Sequence, residues 1–275
     1  MTGFSTAAIA PAINMIVRPS SQSGTVTGSI HVETVSAGAN FDIAFSGSAS
    51  TQRYIADMDQ IVADTYNVVL AVLQTALVPQ SIVALHAAFF DLNGAGVLVA
   101  GPSGAGKTSL AVAALQAGCS VFSSEITFVS EGLVRLGESS LIIGTGAVAK
   151  FGFDMRKTTT ERRGSNWVMG LPLLSEARKI DLVVFPRVGL VPQGRRRLPR
   201  KGAEVQAFEC AASQASLWRV VGDRTELVHV PWDAASSVAT IAQAFRICQE
   251  PAWVIEGSPQ DVMNSISEIL SGTAG

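Results

Sequence analysis

Four residues pose the chemical question. Gly101, Gly106, Lys107 and Thr108 in "GPSGAGKTSL" meet the spacing G-x-x-x-x-G-K-[ST]. The strand-like run "GVLVA" enters this loop and the helical run "KTSLAVAALQAG" leaves it. Glycines let a backbone curl until successive N–H groups point inward, and a helix N-terminus adds partial positive charge. In that setting Lys107 can span the β- and γ-phosphates of a nucleotide, and the Thr108 hydroxyl can take one position on Mg²⁺. The competing reading is a glycine-rich turn with no ligand.

A magnesium-bound nucleotide also needs an acid near the metal. The most hydrophobic later strand is "KIDLVVF", but its Asp181 lies at the strand's start, the wrong end for a site at the C-terminal edge of a sheet. Glu125 in "CSVFSSEITFVSEG" falls at the tip of the strand after the loop helix, where such an acid belongs. A solvated glutamate in a turn is the alternative.

The elements that must position these groups read as follows. "SIVALHAAFFDL" and "GVLVA" are strands joined by an Asn93-Gly94 turn, a strong hairpin marker. The loop helix stops at Gly118, and strands lie on both sides of Ser124-Glu125. "RKTTTERRGSN" reads as a mobile loop, "KIDLVVF" as a buried strand ended by Pro186, and "QGRRRLPRK" as a second basic loop. Helical periodicity covers Gln52 to Leu77 and about Ala234 to Gln249, with strands "ELVHV" and "AWVIEG". The last helix has Ser258 as N-cap, Pro259 at its first position and Asp261 three residues after the cap. Its apolar face is Val262, Ile266 and Ile269. In residues 1–50, "SIHVETV" and "FDIAFSG" alternate with period two, a hairpin within a small β-rich N-terminal lobe.

"LHAAFFDLNGAGVLVAGPSGAGKTSLAVAALQAGCSVFSSE" resembles the catalytic domain of HPr kinase/phosphorylase and its relatives, including kinases linked to lasso-peptide clusters. The shared pattern is a Leu-His pair, a hairpin, a G-x-S-G-x-G-K-[ST] loop, a helix ending in Gly, then a strand with an acidic pair. It covers about residues 80–130 well and the C-terminal succession more loosely. The resemblance implies an α/β fold: a P-loop nucleotide-binding domain with a mixed β-sheet flanked by helices over 51–275, after the lobe over 1–50. It also implies an ATP-dependent kinase acting on a Ser/Thr hydroxyl of a protein or peptide. Carried over by position, Gly101, Ser103, Gly104, Ala105, Gly106, Lys107, Thr108 and Ser109 would bind the phosphates. Thr108 and Glu125 would hold Mg²⁺, and His86 would lie near the γ-phosphate. A histidine at a strand end is equally a satisfied core residue.

One departure matters. The family places an aspartate just before the position of Glu125 as the acceptor's general base, and this chain has Ser124. A positioned base is worth ~10²–10⁴-fold. Glu125, Glu131 or His86 are the substitutes on offer, and Glu161 is a weak second metal acid. A nucleotide-binding partner protein with decayed catalysis is therefore the alternative, and a small-molecule kinase a third.

Composition bounds the partners. Of 275 residues only 15% are charged and 48% are apolar, which suggests surface covered by a second copy of the chain or a docked segment. A net charge of −2 gives no field to recruit nucleic acid or anionic membrane. Arg195, Arg196, Arg197, Arg200 and Lys201 crowd together, as do Arg156, Lys157, Arg162 and Arg163. They read as solvated loops or as a docking surface for an acidic peptide, with Lys150 and Arg178 as single candidates to close over a triphosphate. Neither cluster has the interleaved aromatics of a nucleic-acid module. The most apolar stretch, "YNVVLAVLQTALVPQSIVAL", is broken by Asn67, Gln74, Thr75, Pro79 and Gln80, so no membrane span is expected. The first cation is Arg18, which argues against a secretory signal, and Cys119, Cys210 and Cys248 read as free thiols in a reducing cytoplasm.

Overall fold

The computed structural model describes four strands within residues 4–46, then residues 81–138, 140–155, 160–163, 165–172, 174, 176–189, 192–217, 220–221, 228–229 and 251–272. The helices expected over 52–77 and 234–249, and Cys248, lie outside the described residues. The architecture is mixed α/β, a large mixed sheet with helices on both faces.

The centre of that sheet follows from its apolar runs. β5 (Val83–Leu92) and β6 (Ala95–Ala100) form an antiparallel hairpin, and Asn93 and Gly94 have φ of 55° and 88° as a two-residue turn of that twist requires. β6 then pairs in parallel with β14 (Leu182–Val188), which pairs in parallel with β18 (Ala252–Gly257). Parallel strands are covered on both faces, and Val97, Leu98 and Val99 are accordingly fully buried. β15 (Gly194–Arg197) closes one edge, antiparallel to β18.

On its other edge the long β5 pairs with β7 (Ser120–Ser123) through Phe89–Asp91 and with β8 (Ile126–Ser130) through Val83–His86. Ser124 and Glu125 occupy the bend between those two partners. β9 (Leu133–Glu138) follows β8, and β1 (Phe4–Thr6) and β13 (Arg178–Lys179) both pair with β9. The first fifty residues thus contribute to two sheets, because β2 (Pro11–Ile16), β3 (Thr27–Thr34) and β4 (Asn40–Ser46) form a three-stranded sheet of their own. The expected hairpin there is β3 with β4.

α1 (Lys107–Gln116) and α4 (Pro259–Leu270) cover one face of the large sheet, sharing a core with Phe90, Val99 and Val184. α3 (Arg200–Leu217) covers the other, over Phe89, Phe185 and Val254. α2 (Thr145–Phe151) follows β10 (Ser140–Gly144).

Three loop expectations change. The stretch expected to be a loop at 156–166 contains β11 (Thr160–Arg163), which pairs with β12 (Asn166–Gly170), itself paired to β10. Strand pairing supplies the backbone partners that a polar sequence alone does not announce. "GRRR" is the edge strand β15 and not a loop, and Arg200 already opens α3. Edge strands carry charge readily because it discourages pairing with other chains. Nor does Pro186 end its strand. Val188, two residues on and so facing the same edge, donates its N–H to Ala105 O at 3.0 Å. The missing N–H of Pro186 therefore points past the end of β6, where no ladder bond is lost.

The last helix meets its expected signature. Ser258 Oγ accepts from Asp261 N at 3.2 Å, and the Asp261 carboxylate accepts from Ser258 N at 3.0 Å, a reciprocal capping box. Val262 and Ile266 are fully buried. Ser258→Ala should lower stability by about 1 kcal/mol in urea unfolding, and Ser258→Asp should restore most of it.

Candidate functional site

The glycine loop is held from both sides. Gly101 N donates to His86 O of β5 at 3.4 Å, and Val188 N of β14 donates to Ala105 O. Gly106 has φ of 100°, and a Cβ there would stand 2.2 Å from Val188 Cβ, so only glycine allows the loop to seat against β14. From Ser103 to Ser109, among the described residues, only Ala105 N finds a backbone acceptor, Pro102 O at 3.2 Å, and regular helical bonding begins with Leu110 N to Gly106 O. Among the described residues, the N–H groups of Ser103, Gly104, Gly106, Lys107, Thr108 and Ser109 have no protein acceptor. They surround a helix N-terminus with no side-chain cap. This is the donor array an anion completes.

Lys107 lies inside this ring. It is 5% exposed, and Nζ donates to Gly101 O and Pro102 O, each at 2.9 Å. Burial brings its pKa down to about 8, against the opposing attraction of Cys210 and of the Glu125 carboxylate. His86, 7% exposed, is held near 4 by burial and by the neighbouring Lys107 charge, and is neutral at neutral pH. Its Nε2 stands 3.9 Å from Glu125 Oε1. The Glu125 side chain is 63% exposed, while its backbone carbonyl accepts from Ala87 N at 3.0 Å. The tertiary structure thus brings together the loop, Lys107, Glu125 and His86. Thr108, half-buried at the start of α1, has a hydroxyl with no protein partner among the described residues.

The bend carrying Glu125 is braced from beneath. Thr127 Oγ1 donates to Ala87 O at 2.7 Å and meets Ser123 Oγ at 2.6 Å. Ser124 is 3% exposed and turns into the core, donating to Ser140 O at 3.0 Å. Its hydroxyl serves structure and does not face the site.

Other candidates are placed elsewhere. Glu131 sits in the turn beyond β8, 4.0 Å from Arg135. Asp181 caps the far end of the sheet, accepting from Gly96 N at 2.9 Å and pairing with Lys179 at 2.8 Å. Arg178 lies at that same far end on β13, over the Phe122 ring and 3.6 Å from Glu176. Lys150 lies over the Phe151 ring on α2. Glu161 falls on β11, and Arg156 and Lys157 lie outside the described residues. Among the described residues no three His, Cys, Asp or Glu side chains cluster as a metal site. A magnesium ion carried by a polyphosphate needs few protein ligands, and Thr108 and Glu125 suit that role.

A cleft of about 1040 Å³ opens beside the loop, lined by His86, Gly101 to Ala105, the end of β14 and α3. Sequence reasoning missed Gln206, Glu209 and Cys210 of α3 and the pair Arg187–Glu256, 2.9 Å apart, all of which line it. Helical periodicity marks which residues of α3 face the sheet, but nothing in it says that the loop stands opposite. Cys210 is a buried thiol, pushed up to about 11 by burial. Cys119, a thiol outside any disulfide, is half-buried and likewise raised by burial.

The buried ammonium has a measurable signature. Folded Lys107 releases its proton near pH 8, the unfolded chain near 10.5, so between these values the unfolded state binds more protons and stability rises with pH. Below pH 8 the burial penalty is present in full, up to about 3 kcal/mol. Urea unfolding of the wild type, referenced to Lys107→Met, should show that gain between pH 8 and 10. Gly106→Ala should be strongly destabilising, and Val188→Ala in the same chain should recover part of the loss.

Set against known proteins, the sequence matches no family model and no curated protein, so what the cleft does must come from its own geometry.

Proposed function

We propose that this chain is an ATP-dependent kinase of the P-loop type that moves the γ-phosphate of ATP to a serine or threonine hydroxyl of a protein or peptide. The observation that carries the reading is the set of unpartnered amides of Ser103, Gly104 and Gly106 to Ser109 around the buried ammonium of Lys107, beside a cleft that the Gly101 to Ala105 stretch lines. Neutral small molecules do not need such an array; a polyphosphate does. The resemblance of residues 80–130 to HPr kinase-like proteins adds the choice of acceptor.

Each group then has a task. The loop amides bind the β- and γ-phosphate oxygens, and Lys107 exchanges the Gly101 and Pro102 carbonyls for them. Thr108 and Glu125 would hold Mg²⁺, which when bound neutralises charge on the phosphate oxygens. Neutral His86 lines the cleft and can donate one N–H to the transferring group. The acceptor oxygen bonds to the γ-phosphorus as the bond to the β,γ-bridging oxygen breaks, ADP leaves, and the hydroxyl proton passes to a carboxylate. Glu125 is the nearest carboxylate to the loop lysine and histidine.

A second reading has its own observation. Because Ser124 is bonded into the core, no carboxylate precedes Glu125, and the chain would then be a nucleotide-binding partner protein with little or no transfer activity.

Calorimetry with Mg-ATP should give saturable binding, with net proton uptake at pH 8.5 as phosphate charge re-ionises Lys107. Lys107→Ala should weaken binding by about 30- to 1,000-fold. No heat with either ATP or GTP would overturn both readings. Incubation with Mg-ATP and serine-bearing peptides, read by intact mass, separates them: transfer reduced about 10²-fold or more in Glu125→Gln supports the kinase. Normal binding with no transfer to any peptide supports the partner protein.

A further inference from the structure

The glycine loop has a neighbouring strand on each side. It grows from β6, which lies between β5 and β14. His86 of β5 stands on one flank, where its carbonyl accepts from Gly101 N, and Arg187 of β14 stands on the other. Both line the cleft, and of the described side chains lining it only Arg187 carries a permanent positive charge. β6, β14 and β18 run parallel, and Arg187 and Glu256 are the next-to-last residues of β14 and β18, paired in register. The carboxyl ends of parallel strands are where open α/β sheets take their ligands.

Strand alternation aims Arg187 into the cleft. Val188 packs with the α1 and α4 face and touches the seat of Gly106, so Arg187, one residue before it, faces the other way with Phe185. Val188 N bonds to Ala105 O at 3.0 Å, and backbone bonds then put Arg187 Cα within about 6 Å of that oxygen. The guanidinium has one side in use. Nη1 donates to Glu256 Oε1 at 2.9 Å, while Nε and Nη2 meet no acceptor among the described residues. The Arg187 side chain is 66% exposed. A guanidinium holds five N–H donors in a fixed fork, so one side can rest on Glu256 while the Nε and Nη2 edge meets an anion. Lys150 and Arg178, the cations the sequence offers for closing over a triphosphate, lie over the Phe151 and Phe122 rings instead.

Resting on the kinase reading, we propose that Arg187 binds the terminal phosphate of the nucleotide and makes the site distinguish a triphosphate from a diphosphate. Glu256 is its positioning residue, holding Nη1 so that the open edge of the fork faces the loop. A phosphate standing over Lys107 is flanked by His86 on the β5 side and by Arg187 on the β14 side. The loop amides hold the β-phosphate of ATP and ADP alike, whereas the fork meets only oxygens that ADP lacks. Guanidinium–phosphate bonds are charge-assisted and matched in shape, which a lysine cannot reproduce. The same oxygens gain charge as the γ-phosphoryl group transfers, so Arg187 stabilises that step as well. After transfer ADP has no bond to Arg187 and is held less tightly.

Calorimetry on the full chain with Mg²⁺ tests this without catalysis, comparing ADP with the nonhydrolysable β,γ-imido analogue of ATP. Arg187→Gln should weaken the analogue about tenfold or more, the size of a hydrogen bond to a charged group, and ADP by about twofold at most. Arg187→Lys, which keeps the charge but not the fork, should fall between Arg187→Gln and the wild type. Arg195→Gln removes the same charge from a pair with Glu268 of α4 on the covered face, and should leave both affinities unchanged. Urea midpoints report whether each variant is folded. Equal losses for the analogue and ADP in Arg187→Gln would overturn the proposal, as would no loss, or a matching loss in Arg195→Gln. Should Arg187→Gln not fold, an Arg187→Lys chain with the wild-type ratio of the two affinities overturns it as well. Wild-type protein that binds neither ligand removes the kinase reading and this assignment together. Wild-type binding whose ratio is indifferent to Arg187 removes the assignment alone.

Discussion

A buried ammonium ion facing backbone carbonyls is the constraint around which the described structure is arranged. Taking a lysine out of water is unfavourable unless opposite charge comes with it. Lys107 donates to the Gly101 and Pro102 carbonyls, and among the described residues Cys210 and the exposed Glu125 are the groups that favour its charge. Around it the amides of Ser103, Gly104 and Gly106 to Ser109 point at no acceptor among the described residues. Positive charge without a matching anion is a standing imbalance, and a bound polyphosphate would relieve it.

The rest of the sheet maintains that imbalance. Val188 N and the close seat of Gly106 fasten the loop to β14, and His86 O fastens its entrance to β5. β5 changes partner from β7 to β8 at the bend, which lifts Glu125 toward the loop while Thr127 and Ser124 tie the bend's underside into the core. The faces of the sheet are unequal. α1 and α4 seal one, whereas α3 stands off the loop end of the other and leaves a cleft. On the rim of that cleft Arg187 is paired with Glu256.

Much of this was legible in the residues. The Asn93-Gly94 turn, the strand into the loop, the helix out of it and the Ser258–Asp261 cap are local patterns. In each, a few consecutive side chains and dihedrals decide the conformation. The errors lay where partners distant in sequence decide. Thr160–Arg163 became a strand because β12 offered a ladder, and Arg195 to Arg197 became an edge because β18 ran alongside. Pro186 stayed within a strand because its edge was already free.

From its sequence alone this protein has a glycine loop of G-x-x-x-x-G-K-[ST] spacing, with a lysine and a threonine at its end and a glutamate one strand later, because spacing along one chain sets those relations. Tertiary structure alone decided that His86 meets Glu125, that Ser124 turns inward, and that Arg196 shares a row with Phe185. Those depend on register between strands, and register is fixed by side chains packing across the sheet from segments that the sequence keeps apart.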